Sequence, residues 1–553
     1  MDNYRAFLAI VISFVILIVY QYFFAGFGPK KTPEDNTQGT HVEQVNPGAA
    51  EKTETMQGGN SSTPAFMKPK AIDQSARQIA VDTDLYTAVL SEQGGTLQSF
   101  VLKDYKESDA PDSKGERLVL TQEKEGFPLD FTWGGAVEQG MVYKSQAQDV
   151  KFKDGESTKE LVLQGTSASG VAVERKYTFA RDQYLINLEI TVKNTTAQPL
   201  QGAPQLYQVN VPFADNVTGS RYLFTGPAAF IDGQLQEFKD KEITGEPKTV
   251  HGTCEWAAYE GTYFLTGILP GQKEGETLTM QQNGSLVEMT MSGKLETLPP
   301  GGQIVYSYRL YYGPKKLSLL QSIGYNLDKS VNFGWFDVIA KPTLWFLNFL
   351  HGFVKNYGIA IILVTVLFKL AFWPITQKGM KSMKNMQKLQ PKMAKIKEKY
   401  KNDPAQMNKE VMNLYKTYKV NPLGGCLPMV LQIPVFFALY KVLLQCIELR
   451  HAPFMLWITD LSAPDRLWPW LHIPYLGGIP VLTLLMGASM FVQQKLTPTT
   501  ADPTQARIMM FLPVVFTFMF INFASGLVLY WFCNNLLSIL QQRLINRQPI
   551  KTV

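Results

Sequence analysis

The spacing of hydrophobic positions changes abruptly along the chain. Residues 6–24, AFLAIVISFVILIVYQYFF, form an almost unbroken apolar run behind Arg5. About 20 such residues cross the ~30 Å hydrocarbon layer as a helix. A cleaved signal peptide has a shorter apolar core and ends at a small-residue site. This run ends instead in Tyr20, Tyr22, Phe23 and Phe24, aromatics suited to a membrane interface. Residues 1–28 are therefore expected to be a retained anchor. Residues 29–76 follow, rich in Pro, Gly, Thr, Glu, Gln and Lys, with Phe66 as their one aromatic. They cannot bury enough apolar area to offset ordering entropy and are expected to be a disordered tether.

From about residue 77 to 313 the hydrophobic period becomes two. Segments such as Leu97-Gln-Ser-Phe-Val-Leu, Val171-Ala-Val-Glu-Arg-Lys-Tyr-Thr-Phe, Tyr184-Leu-Ile-Asn-Leu-Glu-Ile-Thr-Val and Ile304-Val-Tyr-Ser-Tyr-Arg-Leu-Tyr-Tyr alternate, with Gly, Asn and Asp turns between them. An all-β sandwich is expected. Gly313-Pro314 closes it, and residues 315–330 read as a short helix, so the domain runs over 77–330.

The rest reads as membrane protein. Residues 331–351 are rich in Trp and Phe but interrupted by Asp337, Lys341 and Pro342, the pattern of an interfacial helix rather than a span. Apolar runs at 354–375, 424–447, 474–493, 507–523 and 526–542 are expected spans, within a core of 352–553. With the anchor they make six. Between the second and third, 376–423 is amphipathic: Met380, Met383, Leu389, Met393, Ile396 and Tyr400 recur at mostly three- and four-residue steps. Asp403-Pro404 then starts a second helix, with Met407, Val411, Leu414 and Tyr418 continuing the period. A helical hairpin is expected.

Charge orients this arrangement. The net charge of +6 over 553 residues conceals an asymmetry. Residues 331–553 carry 23 Lys and Arg against 8 Asp and Glu, a net of +15; residues 1–330 carry 30 against 39, a net of −9. Such asymmetry points to a membrane or nucleic-acid partner. The 376–423 segment holds 12 Lys against Glu398, Asp403 and Glu410 and belongs on the cytoplasmic side. The 448–473 segment, with Arg450 and Arg466 against Glu448, Asp460 and Asp465, belongs outside, and Arg543, Arg547 and Lys551 place the C-terminus inside. Six spans then put the N-terminus inside and the β domain outside.

One residue stands out chemically. Lys369 lies in the second span, within Ile361-Ile-Leu-Val-Thr-Val-Leu-Phe-Lys369. An ammonium in hydrocarbon costs at least about 2.5–3.5 kcal/mol. It can snorkel towards the cytoplasmic edge, or it can face a wet cavity. Thr365 lies on its helical face, and other spans bring Gln432, Thr517, Asn522, Ser525, Trp531, Asn534 and Asn535. Polar residues in spans also serve simply as interhelical hydrogen-bond partners. No Asp or Glu occurs in spans two to six to neutralise Lys369. That absence speaks against a proton-coupled pump, which needs acidic or His relays.

The third and fifth spans present Met429, Phe436, Met509, Phe511, Phe516 and Met519, either lipid-facing packing or an adaptable surface for apolar partners. On the hairpin, Lys381, Lys384, Lys388, Lys392 and Lys395 suit anionic lipid, ribosomal RNA or a targeting factor. Four cysteines exclude a disulfide scaffold, and the lack of CxxC or Cys/His spacing speaks against a zinc site. Nucleotide-binding, metalloprotease and serine-hydrolase motifs are absent from the sequence, so neither an enzyme, a cofactor nor a metal is expected.

Several longer motifs carry a family resemblance. They are Asn421-Pro-Leu-Gly-Gly-Cys-Leu-Pro428 with Gln432-Ile-Pro434, and Glu448-Leu-Arg-His-Ala-Pro453 with Trp457-Ile and Asp460-Leu-Ser. Gln493-Gln-Lys-Leu-Thr-Pro-Thr-Thr500 with Asp502-Pro503 and Ser525-Gly-Leu-Val-Leu-Tyr530 complete them. Across its length the chain resembles the YidC membrane-protein insertases of the YidC/Oxa/Alb family, in the Gram-negative form with a large periplasmic domain. The resemblance implies a five-helix core around a hydrophilic groove open to cytoplasm and bilayer, and a periplasmic β-supersandwich related to sugar mutarotases. It implies an inner-membrane insertase and chaperone that binds nascent membrane proteins and releases them laterally, alone or with the Sec translocon. Its positive groove residue is usually Arg; Lys369 keeps the charge but not the two-pronged fork. Relatives often have Pro where this chain has Ala524. A channel or small-solute transporter is the alternative reading, and an anchored carbohydrate-binding protein a third.

Overall fold

The computed structural model describes residues 76–108, 112–213, 223–271, 276–418, 427–468, 470, 476–497 and 503–547, without the side chains of 427–431 and 503–508. The expected anchor, 1–28, and the expected tether up to residue 75 lie outside the described residues. Residues 388–418 belong to one compact unit and the other described residues to a second.

Alternating hydrophobicity produces strands where period two is strongest. Val171–Ala180 alternates buried and half-buried positions along its whole length. It sits in an eight-stranded antiparallel sheet in the order Gln234–Glu237, Gly226–Ile231, Cys254–Glu260, Phe264–Pro270, Gln303–Pro314, Leu185–Asn194, Val171–Ala180 and Thr158–Thr166. A second sheet orders Lys248–His251, Thr277–Asn283, Leu286–Ser292, Pro204–Asn210 and Phe131–Trp133. A third orders Gly115–Arg117, Leu97–Lys106, Tyr86–Ser91, Gln78–Asp82 and Val150–Lys151. The expected all-β domain is thus present. Its core holds Phe100, Trp133, Trp256, Tyr311 and Tyr312.

Arg175 is fully buried in this core. Its guanidinium donates to the carbonyls of Gly94 and Leu129 and lies 5.6 Å from the ring centres of Tyr143 and Tyr177. A buried charge needs such partners. Gly95, at φ +60°, leaves the room: a Cβ there would stand 2.6 Å from the Arg175 guanidinium.

The β domain leads through α1 (Leu317–Ile323) and a 3₁₀ turn at Leu327–Ser330 into helix α2 (Asp337–Val354). The continuous helix expected over 315–330 is therefore split, with Gly324 at φ +83° ending α1. Helix α2 starts at Asp337 and continues through Pro342; Lys341 pairs with Asp337 at 2.9 Å one turn away. The later helices are α3 (Tyr357–Ala371), α4 (Trp373–Lys399), α5 (Pro404–Thr417), α6 (Leu427–Gln445), α7 (Val481–Leu496), α8 (Pro503–Phe520) and α9 (Ser525–Arg547).

Helix α3 is capped by the Asn356 side chain, which accepts from the Ile359 amide. The expected span 354–375 is helical as α3 only to Ala371; α4 then sets off at 64°. Pro374 supplies the reason, since it has no amide to donate and disfavours helical backbone at Trp373. Among the described residues no single helix is both long and apolar enough to cross a membrane, whereas the bent α3–α4 pair passes that test. Helix α9 has 23 residues but carries Asn534, Asn535, Ser538, Gln541 and Gln542, all buried. Polar residues on its packed face lower its hydropathy without exposing it.

In the smaller unit, α5 starts as the sequence predicts: Asp403 accepts from the Gln406 amide, with Pro404 in the first turn. Leu389 and Met393 of α4 are buried, and the Tyr415 hydroxyl lies 3.5 Å from the Met393 sulfur.

Candidate functional site

Helices α3, α4, α6 and α9 enclose a cavity lined by Thr365, Phe368, Lys369, Phe372, Thr376, Gln432, Val435, Tyr530 and Asn534. About 20 Å³ of it admits the centre of a water-sized sphere, room for one or two waters. Lys369 is only 9% exposed. Its ammonium lies 2.6 Å from Ser538 Oγ and 3.4 Å from Asn534 Oδ1. Both acceptors are on α9 and both are neutral. They are one helical turn apart, and Ser538 donates in turn to the Asn534 carbonyl at 2.7 Å. Thr365 lines the cavity while its hydroxyl donates to the Ile361 carbonyl at 2.7 Å.

The polar path continues along α9. Gln541 donates to Thr376 Oγ1 at 2.8 Å, and Lys384 donates to the carbonyls of Ile545 and Asn546, each at 3.1 Å. A cation at those last carbonyls complements the negative end of the helix.

The structure therefore brings Lys369, Thr365, Gln432 and Asn534 together, and puts the other polar candidates elsewhere. Asn535 turns to α7 and donates to Ser489 at 3.0 Å. Thr517 bonds the Pro513 carbonyl of its own helix and packs on Gly487, where a Cβ would collide with it. Asn522 is exposed and accepts from Arg466 at 2.7 Å. Ser525 is fully buried and donates to the Asp460 carbonyl at 2.8 Å. Trp531 sits among rings, 4.6 Å from Phe436, 4.4 Å from Phe520 and 6.0 Å from Phe516.

Of the apolar candidates, Phe436 and Phe516 belong to that ring cluster, and Met519 packs against the core. Met509 is half-buried and Phe511 is 63% exposed. The Met429 side chain lies outside the described residues. On the hairpin, Lys381, Lys388, Lys392 and Lys395 are exposed, and Lys392 contacts the Tyr418 hydroxyl.

Sequence reading passed over Ser538, which accepts from the Lys369 ammonium, and Thr376 and Tyr530 in the cavity wall. Ser538 lies one helical turn beyond Asn534, so the face already marked by Asn534 pointed to it. It also passed over Lys441, a second ammonium within an apolar helix, which donates to the Phe333 carbonyl at 3.0 Å. Its place in an apolar run, like that of Lys369, was the signal that could have found it.

At the end of the helices away from Lys384, the described residues between α6 and α7 form a bonded strap. Ser525 and Gly526 donate their amides to the carbonyls of Ala463 and Leu461 at 2.8 and 2.9 Å. Leu467 and Ile479 exchange backbone bonds at 2.8 and 2.9 Å. Asp465 accepts from Trp457 Nε1 and the Leu482 amide, both at 2.5 Å, and from the Thr483 amide at 3.3 Å, so it caps α7. Phe454 fills the space beside Gly358, where a Cβ would overlap its ring.

Residues 78–346 match the sequence family described as the YidC periplasmic domain, and residues 349–552 match that described as the 60 kDa inner membrane protein. The membrane protein insertase YidC of Pelobacter propionicus is 42% identical over 551 residues, covering 98% of this chain and 99% of the relative. That of Syntrophus aciditrophicus is 40% identical over 556 residues, with 98% and 99% covered. A crystal structure of an active YidC insertase with its first transmembrane domain resolved aligns with a TM-score of 0.36 at 20% identity, covering 86% of this chain and 94% of that one. A galactose mutarotase-like protein from Lactobacillus casei aligns with a TM-score of 0.31 at 10% identity, covering 43% and 100%.

Proposed function

Since the chain belongs to the family of YidC membrane protein insertases, we propose that it takes membrane-spanning segments of nascent membrane proteins into the Lys369 cavity and releases them sideways into the inner membrane. The observation that carries this reading is the buried Lys369 ammonium, held by the neutral acceptors Ser538 and Asn534. Its charge is solvated but not cancelled by them. A polar, acidic segment crossing an apolar layer loses hydration. A hydrated recess that reaches partway shortens that path, and a cation in a lower dielectric attracts carboxylates more strongly than it would in water.

The apolar part of the substrate then leaves past Phe436, Met509, Phe511, Phe516 and Met519, with Met429 as a further member of the slide. Transfer of each CH₂ into lipid is worth about 0.8 kcal/mol, so no nucleotide is required to drive release. The six-span topology puts both termini in the cytoplasm and the β domain in the periplasm. The basic hairpin, through Lys381, Lys384, Lys388, Lys392 and Lys395, meets anionic lipid and a ribosome or targeting factor, and the Sec translocon joins on some substrates.

The test is insertion of a small membrane protein with an acidic outer segment into vesicles containing only this chain. Lys369→Glu and Lys369→Ala lower the yield, and Lys369→Arg keeps it. A full yield from the Glu variant removes Lys369 from the mechanism. A channel or small-solute transporter needs a path open at both faces. The bonded strap over residues 452–467 weighs against one, and solute flux through vesicles without substrate protein would support it.

A further inference from the structure

The motif Glu448-Leu-Arg-His-Ala-Pro453 has no part in the Lys369 cavity, yet its arginine is among the most enclosed charged groups in the molecule. The Arg450 side chain is 4% exposed and its partner Glu116 3%. Arg450 Nη2 lies 2.6 Å from Glu116 Oε2, and Nη1 donates to the Lys106 carbonyl at 2.7 Å. The guanidinium carbon also stands 5.8 Å from the Tyr263 ring centre and 5.2 Å from that of Phe264. Glu116 and Lys106 belong to the two paired strands at one edge of a five-stranded sheet. Phe264 opens a strand of the eight-stranded sheet. A single side chain from the turn after α6 thus enters the β domain where two of its sheets meet.

Neighbouring contacts fix that turn on the other side. Glu448 accepts from Asn348 of α2 at 3.2 Å and from the Cys446 thiol at 2.9 Å. Lys441 holds the Phe333 carbonyl, in the link between the β domain and α2. Three successive parts of one segment, at 441, 448 and 450, therefore grip the link, helix α2 and the β domain in turn.

We propose that Arg450 is a latch that docks the β domain on the helical core in one fixed pose. A partner protein that engages the β domain then either binds the docked pose or must break the latch, and in breaking it frees the turn that leads into the strap over the cavity helices. A guanidinium is well matched to this role, being planar, permanently charged and able to bond a carboxylate and a carbonyl at once while lying against rings. A lysine could supply the charge but not that geometry. Because the pair is enclosed, salt screens it weakly, and removal of one member takes from the other, still buried, its charged partner. This inference does not depend on what the Lys369 cavity handles.

The test is hydrogen–deuterium exchange of the full chain in lipid nanodiscs, followed on peptides covering 97–117, 447–452 and 171–180. Arg450→Gln and Glu116→Gln are each expected to speed exchange at 97–117 and 447–452 by at least about tenfold, while 171–180, inside the β domain, stays protected. The paired reversal Arg450→Glu with Glu116→Arg is expected to recover part of the protection. The Arg450 variant alters no β-domain residue, so it separates undocking from unfolding. Unchanged exchange at both contact segments in both variants overturns the latch. So does a uniform rise that includes 171–180 in the Arg450→Gln protein.

Discussion

Lys369 and Ser538, 169 positions apart in sequence, meet at 2.6 Å between α3 and α9. This contact ties the charge to a neutral hydroxyl rather than to a carboxylate, so it does not cancel the positive charge. Ser538→Val removes the nearest acceptor and adds a branched apolar side chain beside the ammonium. Loss of a hydrogen bond to a buried charge costs about 1.5–3 kcal/mol. A lower melting temperature in detergent, with Ser538→Thr close to the parent protein, is the expected result.

Charge reversal in the cavity is expected to change substrate preference as well as yield. Lys369→Glu should disfavour substrates whose outer segment carries Asp or Glu and favour matched ones carrying Lys, because the sign of the Coulomb term inverts. Paired substrates that differ only in those residues, inserted side by side into vesicles, read the ratio. An equal loss on both would show that packing, and not charge, is what position 369 supplies.

Close approach of α7 and α8 depends on Gly487. A Cβ there collides with Thr517, so Gly487→Val must push the helices apart or twist Thr517 off its bond to Pro513. Overpacking of this kind costs about 1–3 kcal/mol, and small residues are what allow such contact between membrane helices. Reduced folded yield is expected for Gly487→Val, with partial recovery on adding Thr517→Ser.

Asp465 caps α7 from a loop outside the helix, through the amides of Leu482 and Thr483. Asp465→Ala is expected to lose about 1–2 kcal/mol. Faster amide exchange at residues 481–485, and quenching changes at Trp457, whose indole loses its acceptor, would report it. Asp465→Asn should retain part of the cap.

Burial pushes the Glu276 carboxyl up to about 8, and its Oε2 has no hydrogen-bond partner among the described residues. The raised value means that the folded protein holds this proton more tightly than the unfolded chain does. Its stabilising effect is complete below the ordinary carboxyl range near 4.5, and falls steadily as pH rises to about 8. Glu276→Gln should therefore flatten the fall in melting temperature of the β domain between about pH 5 and pH 8. An identical slope in the variant would mean that Glu276 is ionised in the folded state.

Much of this architecture is legible from local pattern, because the signals are local. Period two over Val171–Ala180 is the periodicity of a strand buried on one face, and Asp403-Pro404 caps its helix by chemistry confined to four residues. Lys369 is conspicuous by itself, since any ammonium in an apolar helix demands an explanation. The sequence could not say which of its polar candidates face that charge. Asn534 and Asn535 are adjacent, yet a 100° step per residue sends one to Lys369 and the other to Ser489. Nor could it say that Ser525 and Asn522 serve the strap, that Pro374 bends the α3–α4 pair by 64°, or that Arg450 meets Glu116 across 334 residues. Sequence determined where the elements form and where a charge must be explained. Tertiary structure alone decided which side chains answer that charge, because rotation about a helix axis and pairing between distant segments are set by packing, not by neighbours in the chain.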